Sequence, residues 1–227
     1  MESLNKDVLF NIATMLDLDN LLSFCSSSDK INRLVCQGEA IWNFKLTKEF
    51  PDYKAHINQK GRKAYELLIG LDKLKKEFKY KESIYELYRE TKLNLSYKEL
   101  TILPPEIGNL SQLRELSLSN NKIEILPPEI GNLSQLQKLW LNYNQIKLLP
   151  SEIGNLSQLQ MLSLDNNQIT IVPPEIGNLS QLQILSLDHN QITIVPPEIG
   201  NLSNLQELWL DKKVTLFPGS KLPVFYL

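Results

Sequence analysis

At 227 residues, 42% of them hydrophobic and 22% charged, the chain is long enough to bury a substantial core. Lys and Arg (24) nearly balance Asp and Glu (26), and the net charge of −2 argues against nucleic-acid binding. Cys25 and Cys36 with His56 and His189 have no metal-ligand spacing, no apolar run approaches the ~20 residues that cross a bilayer, and Met1-Glu2-Ser3 begins without signal-peptide features.

The first ninety residues carry apolar side chains at helical spacing. Val8, Leu9, Ile12 and Leu16 mark one face of a helix that opens after Asn5 and stops near Asp17 to Asp19. Leu21, Leu22, Phe24 and Cys25 continue into a second short helix. Ser26 to Asp29 read as a cap for a third through Ile31 and Leu34, and Ile41, Trp42, Phe44 and Leu46 form a fourth group. Residues 51–91 read as a helical linker and N-terminal cap. Ala64, Leu67, Leu68, Leu71, Leu74 and Phe78 keep the helical period, and Ile84, Leu87 and Tyr88 suggest a further short helix. The basic stretch Lys73 to Lys81 reads as a solvated helix face.

From Ile107 the string IGNLSQL returns every twenty-three residues, ending as IGNLSNL at Ile199 to Leu205. The full period reads L-x-x-L-x-L-x-x-N-x-I-x-x-L-P-P-E-I-G-N-L-S-Q. Its L-x-L core is strand alternation, with Leu116 and Leu118 inward and Glu115, Ser117 and Ser119 on the opposite face. So short a strand cannot hold itself, and stacking of successive turns supplies a continuous leucine core. Asn121, Asn144, Asn167 and Asn190 stand where the chain leaves the strand, and a buried amide there can serve backbone groups of adjacent turns. Prolines after each ladder position mark the outer arm, and Gly131, Gly154, Gly177 and Gly200 are read as permitting the tight return. Six strand turns are expected over residues 92–213, with 214–227 as a C-terminal cap.

This pattern resembles the leucine-rich repeat, which implies a right-handed solenoid with a concave parallel β-sheet. Secreted repeats of this kind usually carry disulfide-bonded caps. None is expected from two cysteines lying far from the array, which favours a reducing, cytoplasmic compartment. The order Leu4 to Ile12, Leu16 to Leu22, Cys25 and Ile41 to Leu46 resembles an F-box, the module that docks substrate receptors on the Skp-type adaptor of cullin-based ubiquitin ligases. The similarity covers about residues 1–50, and heads of this style resemble those of large DNA viruses of eukaryotic cells. The resemblance implies that Leu4, Val8, Leu9, Ile12, Leu21, Leu22 and Trp42 form or support the docking surface. The expected fold class is therefore a small helical head followed by an α/β solenoid.

If the array binds a protein, the concave face is its place. One outward column is Asn94, Ser117, Trp140, Ser163, Ser186 and Trp209, and the next is Lys92, Glu115, Lys138, Met161, Ile184 and Glu207. An outward strand position has no structural need for tryptophan. Trp140 and Trp209, with Met161 and Ile184 between them, Tyr143 and His189 beside them, and Asp165, Asp188 and Asp211 along one edge, make an apolar strip with an acidic rim; Lys138 borders it. Trp209 can instead pack on Phe225 or Tyr226.

No nucleophile–base constellation or phosphate-binding glycine loop occurs, so no catalysis and no cofactor are expected. Two readings stay open: a substrate receptor of a Skp/cullin-type ligase, or a repeat scaffold whose head is only a cap and whose repeats sequester a regulatory enzyme such as a phosphatase or deubiquitinase. In either case the partners are proteins, with no nucleic acid or membrane, and the chain is a monomer or a weak homodimer through Trp140 and Trp209.

Overall fold

A computed structural model describes residues 6–216 and 222–226, in two compact units, Met1–Lys73 and Leu74–Leu227. Its helices are α1 (Lys6–Met15), α2 (Leu18–Ser26), the short α3 (Asp29–Ile31), α4 (Glu39–Glu49), α5 (Gly61–Glu77) and α6 (Ile84–Arg89). These follow the apolar spacing of the sequence. Leu16 lies one residue beyond the end of α1, and α2 starts where the Asp17 side chain accepts the backbone N–H of Asn20 at 2.9 Å. After α3 the chain widens into a π-turn, Asn32–Cys36, closed by the Gln37 N–H donating to the Asn32 carbonyl at 2.8 Å.

The first unit has its own core. Leu9 and Ala13 of α1, Leu21 of α2 and Ile41, Trp42 and Leu46 of α4 are buried. The Trp42 indole N–H donates to the Cys36 carbonyl at 2.9 Å, so this large side chain is buried with its one donor satisfied. Lys45 is buried too, and its ammonium donates to the Leu16 carbonyl and lies 3.2 Å from the Glu49 carboxylate. The other Glu49 oxygen accepts from the Tyr65 hydroxyl at 2.8 Å. Burial, then this hydrogen bond to a carboxylate, push the Tyr65 phenol well above its ordinary range, so it stays a donor.

Cys25 and Cys36 are joined by a disulfide, with Cα atoms 5.9 Å apart. This corrects the expectation of a chain without one and removes the premise on which a reducing compartment was argued. Linear spacing gave no sign of it, because α3 and the π-turn fold the segment between the two cysteines, 11 positions apart, back on itself.

In the second unit, β1 (Lys92–Asn94), β2 (Glu115–Ser117), β3 (Lys138–Trp140), β4 (Met161–Ser163), β5 (Ile184–Ser186), β6 (Glu207–Leu210) and β7 (Val224–Tyr226) form a parallel sheet in sequence order. From β1 to β6 each residue pairs with the one a repeat later, as Leu116 with Leu139 and Leu139 with Leu162. The terminal residues expected to act as a cap add the seventh strand. Along the array the leucines of both strand positions are buried, Leu116, Leu139, Leu162 and Leu185 at one and Leu118, Leu141, Leu164 and Leu187 at the other.

The asparagine positions behave as the sequence predicts. Asn144 Nδ2 donates to the carbonyls of Leu118 and Leu141, both at 3.0 Å, while its Oδ1 accepts the Ile123 N–H at 3.1 Å. Asn121, Asn167 and Asn190 repeat the pattern, so the Leu118, Leu141 and Leu164 carbonyls each accept from two successive asparagines. The result is one continuous amide ladder. Beyond it, where the sequence offers no asparagine, Asp211 accepts the N–H groups of His189 and Asn190 at 3.0 and 3.3 Å, and Lys213 donates to the Asn190 carbonyl at 3.0 Å.

Each proline pair opens a 3-10 turn of five residues, such as Pro128–Asn132. The glycine inside it is not there for a tight return, since among the described residues only Gly61 is a glycine with positive φ. A Cβ on Gly131 would lie 2.4 Å from the Glu152 carbonyl oxygen, and one on Gly154 2.5 Å from that of Glu175. Glycine lets successive 3-10 turns stack in contact.

Candidate protein-binding face

The outward face of the sheet carries two registered columns. In the first, Ser117, Trp140, Ser163, Ser186 and Trp209 are consecutive neighbours. Both tryptophans are half-buried, but two serines separate them, so they are two positions and not one aromatic strip. In the second column Met161 and Ile184 are adjacent and half-buried, with Lys138 before them.

The N-terminal side of Trp140 is concave. A depression of about 470 Å³ is lined by Trp140 with Lys92, Asn94, Glu115, Ser117, Ser119 and Asn142 among its neighbours. Glu115 lies between two ammonium groups, 3.2 Å from Lys92 and 3.6 Å from Lys138. The hydrogen bond from Lys92, reinforced by both positive charges, holds its carboxyl below the usual range. On the opposite side Ser119 donates to Asn142 Oδ1 at 2.5 Å. An indole wall beside fixed donors and acceptors suits an extended segment that combines an apolar side chain with polar backbone or side-chain groups.

The acidic rim expected along Asp165, Asp188 and Asp211 needs correction. Asp188 is buried, accepting from Ser186 at 3.2 Å and bonded to His189 Nδ1 at 2.8 Å. Asp165 accepts from Ser163 and Asn166, and Asp211 is taken up by the backbone bonds that close the amide ladder. Asp165 and Asp188 are held by side chains of their own turns, and Asp211 by the backbone N–H groups of the turn before it. Trp209 is also tied in place: its indole N–H donates to Glu207 at 3.0 Å and it pairs in register with Phe225.

Tyr143 and His189 occupy the residue before a ladder asparagine, at φ of 55° and 54°. Equivalent positions hold Asn120 and Asn166, residues that tolerate this left-handed conformation. Tyrosine is the costlier choice there, and both Tyr143 and His189 are exposed.

The hydrogen bond to Asp188, together with the charges of Asp188, Asp211 and Asp165, raises the His189 pKa above 6.5. Its stabilising contribution is therefore complete below the unfolded-state value and fades as pH rises through the higher folded value. Chemical denaturation is expected to show the wild type losing stability as pH rises above the ordinary histidine range, with part of that loss absent in His189→Asn. Identical slopes for the two proteins would remove His189 from the account.

Two family models match this part of the chain, one described as a leucine-rich repeat at residues 91–146 and one as a leucine-rich repeat region at 129–216. Residues 91–216 are a leucine-rich repeat region. A leucine-rich repeat protein of Leptospira interrogans is similar at 43% identity and a TM-score of 0.56, over 62% of this chain and 36% of that one. The functional domain of InlJ from Listeria monocytogenes shares the fold at 24% identity and a TM-score of 0.51, over 58% of this chain and 28% of that one. The chain thus spans about a third of the length of these solved relatives. A search of curated proteins finds no match.

Residues 1–90 lie outside both family matches. In the head, Leu9, Leu21 and Trp42 are core residues, so they can support a docking surface but cannot form it. Helical period identifies an apolar face, and only packing shows which residues of that face turn inward. Ile12 is exposed and Leu22 half-buried, while Leu4 and the Val8 side chain lie outside the described residues. The exposed apolar side chains of the head also include Met15 and Phe44, the latter edge-on to Phe10 at 6.2 Å.

The sequence reading missed a further apolar feature of the leucine-rich repeat region. Ile125, Leu148, Ile171 and Ile194 each precede a buried Leu or Val just before the proline, yet they are exposed. The signal was available: in I-x-I-V-P and its variants, two adjacent apolar residues on extended backbone must face opposite ways.

Proposed function

We propose that the leucine-rich repeat region is a protein-recognition module that captures an extended segment of its partner on the sheet face at Trp140. The observation that carries this is an outward, half-exposed tryptophan beside a depression whose polar groups are already oriented. Met161, Ile184 and Tyr143 extend the contact on the other side. An aromatic anchor with a polar surround concentrates binding free energy, and truncating it typically costs about 2 kcal/mol or more.

The test compares proteins captured by the immobilised full-length chain and by Trp140→Ala, followed by titration of any purified partner. The expected result is a loss of affinity of at least tenfold, about 1.4 kcal/mol, at unchanged thermal stability. A partner held equally well by both proteins would place recognition elsewhere.

A second reading makes the chain a cytoplasmic substrate receptor of a Skp/cullin-type ligase. What supports it is the F-box-like order of the head and its exposed Ile12, Met15 and Phe44. Leu9 is unsuitable for the test because its burial would make Leu9→Asp a folding mutant. Binding of purified Skp-type adaptor by the wild type, lost in Ile12→Asp with Met15→Asp, supports the receptor. Failure of the folded wild type to bind leaves the scaffold reading, in which the head binds no adaptor.

A further inference from the structure

Five aliphatic side chains, Ile102, Ile125, Leu148, Ile171 and Ile194, stand 61–75% exposed, each one repeat after the last. They do not belong to the sheet face. They form a separate ladder just before the prolines, where Ile125 pairs in parallel with Leu148 and Leu148 with Ile171. Four steps at the ~4.8 Å spacing of parallel strands give a straight row about 19 Å long.

Beside it runs a second exposed row, Thr101, Glu124, Lys147, Thr170 and Thr193. This row carries one negative and one positive charge, and Lys147 lies 2.9 Å from Glu124. Such an arrangement is unusual for a surface left in water. An aliphatic side chain contributes roughly 60–120 Å² of apolar surface, so the ladder presents on the order of 300–600 Å² in one contiguous strip. That is as large as the biggest apolar patch of a typical monomer, and with the flanking row it approaches the ~800 Å² per partner of a stable interface.

We infer that this ladder is a homodimer interface in which two copies of the chain meet ladder to ladder, antiparallel about a twofold axis passing between Ile125 and Leu148. The charges select both the occupant and the register. With the axis there, Glu124 of each copy faces Lys147 of the other, Ile125 meets Leu148, Ile102 meets Ile171, and Thr101 meets Thr170. The surface is its own complement, as a twofold interface requires. A register centred on Leu148 would bury all five aliphatics but set Lys147 against Lys147. A parallel ladder-to-ladder contact would carry the two charged rows to opposite flanks and leave Glu124 and Lys147 without partners across the interface. The interface uses side-chain faces and leaves the sheet face at Trp140 free.

Sedimentation velocity of the full-length chain over a concentration series tests this. The wild type is expected to convert reversibly from monomer to dimer, and Ile125→Lys with Leu148→Lys to remain monomeric. Glu124→Lys should weaken the dimer at least about tenfold by facing lysine with lysine. The exchange Glu124→Lys with Lys147→Glu should restore it, because the twofold pairing is then re-formed with the signs reversed. Circular dichroism and thermal melting confirm folding, and Ile125→Thr with Leu148→Thr, compatible with extended backbone, repeats the test if the lysine variant unfolds. A wild type that stays monomeric to about 0.5 mM overturns the inference. So does a dimer indifferent to the ladder substitutions, or a charge exchange that fails to restore what Glu124→Lys removed.

Discussion

Asn144→Ala is expected to lower the stability of the repeat region by about 3 kcal/mol. The estimate follows from which groups lose partners. The Ile123 N–H is buried and bonded to Asn144 Oδ1 at 3.1 Å, so its loss leaves a donor unsatisfied, at about 1–3 kcal/mol. The carbonyls of Leu118 and Leu141 lose less, because each keeps a second asparagine, Asn121 at 2.8 Å and Asn167 at 2.9 Å. A small cavity adds to these terms. Urea denaturation followed by circular dichroism measures the sum, and amide hydrogen exchange locates it, with the Ile123 N–H expected to lose more protection than its neighbours. A change below about 1 kcal/mol would mean that water or a shifted backbone replaces the amide, and the ladder would then be a minor stabiliser.

Gly154→Ala is expected to destabilise by about 3 kcal/mol, for a different reason. The added methyl group would sit 2.5 Å from the Glu175 carbonyl oxygen and 2.9 Å from the Glu175 Cβ. The obstruction is largely backbone, held in the next 3-10 turn, so relief requires one repeat to shift along the array axis. Neighbouring contacts in a solenoid are repeated, and a shift at one junction disturbs the stacking on both sides. Loss of conformational freedom is not the cause, since the φ of Gly154 is not in the left-handed region. Thermal and urea unfolding of the variant provide the measurement, and a wild-type midpoint would show that the turns can separate without cost.

These two positions show how differently the same repeat can be read. Both asparagine and glycine recur once per turn, and periodicity alone marks each as structural. For asparagine the chemistry of the side chain states the role, because an amide that donates and accepts has only backbone groups to serve in a leucine core. Glycine has no side chain to state one. Its role depends on the distance to the next turn, and that distance is a property of stacking.

The candidate face divides in the same way. Alternation along each strand put Trp140, Met161, Ile184 and Lys138 outward, and they are outward. The sequence could not tell that Asp165 and Asp188 are engaged by side chains of their own turns and Asp211 by the turn before it, that a seventh strand pairs Phe225 in register with Trp209, or that the usable concavity lies on the Glu115 side of Trp140. The engagement of Asp211, the seventh strand and the concavity all depend on contacts between successive turns, distant in sequence.

What the sequence by itself determined is the repeat architecture: strand positions, inward leucines, the amide ladder and the helical segments of the head. These follow from local periodicity and side-chain chemistry, which need no knowledge of distant contacts. Tertiary structure alone decided the pairing of Cys25 with Cys36, the burial of Leu9, Leu21 and Trp42, and the alignment of five aliphatics into one exposed ladder. An apolar residue carries the same hydrophobic free energy whether it faces inward or outward in the sequence pattern, and only the arrangement of the neighbouring chain decides whether that free energy is spent within the fold or remains available to a partner.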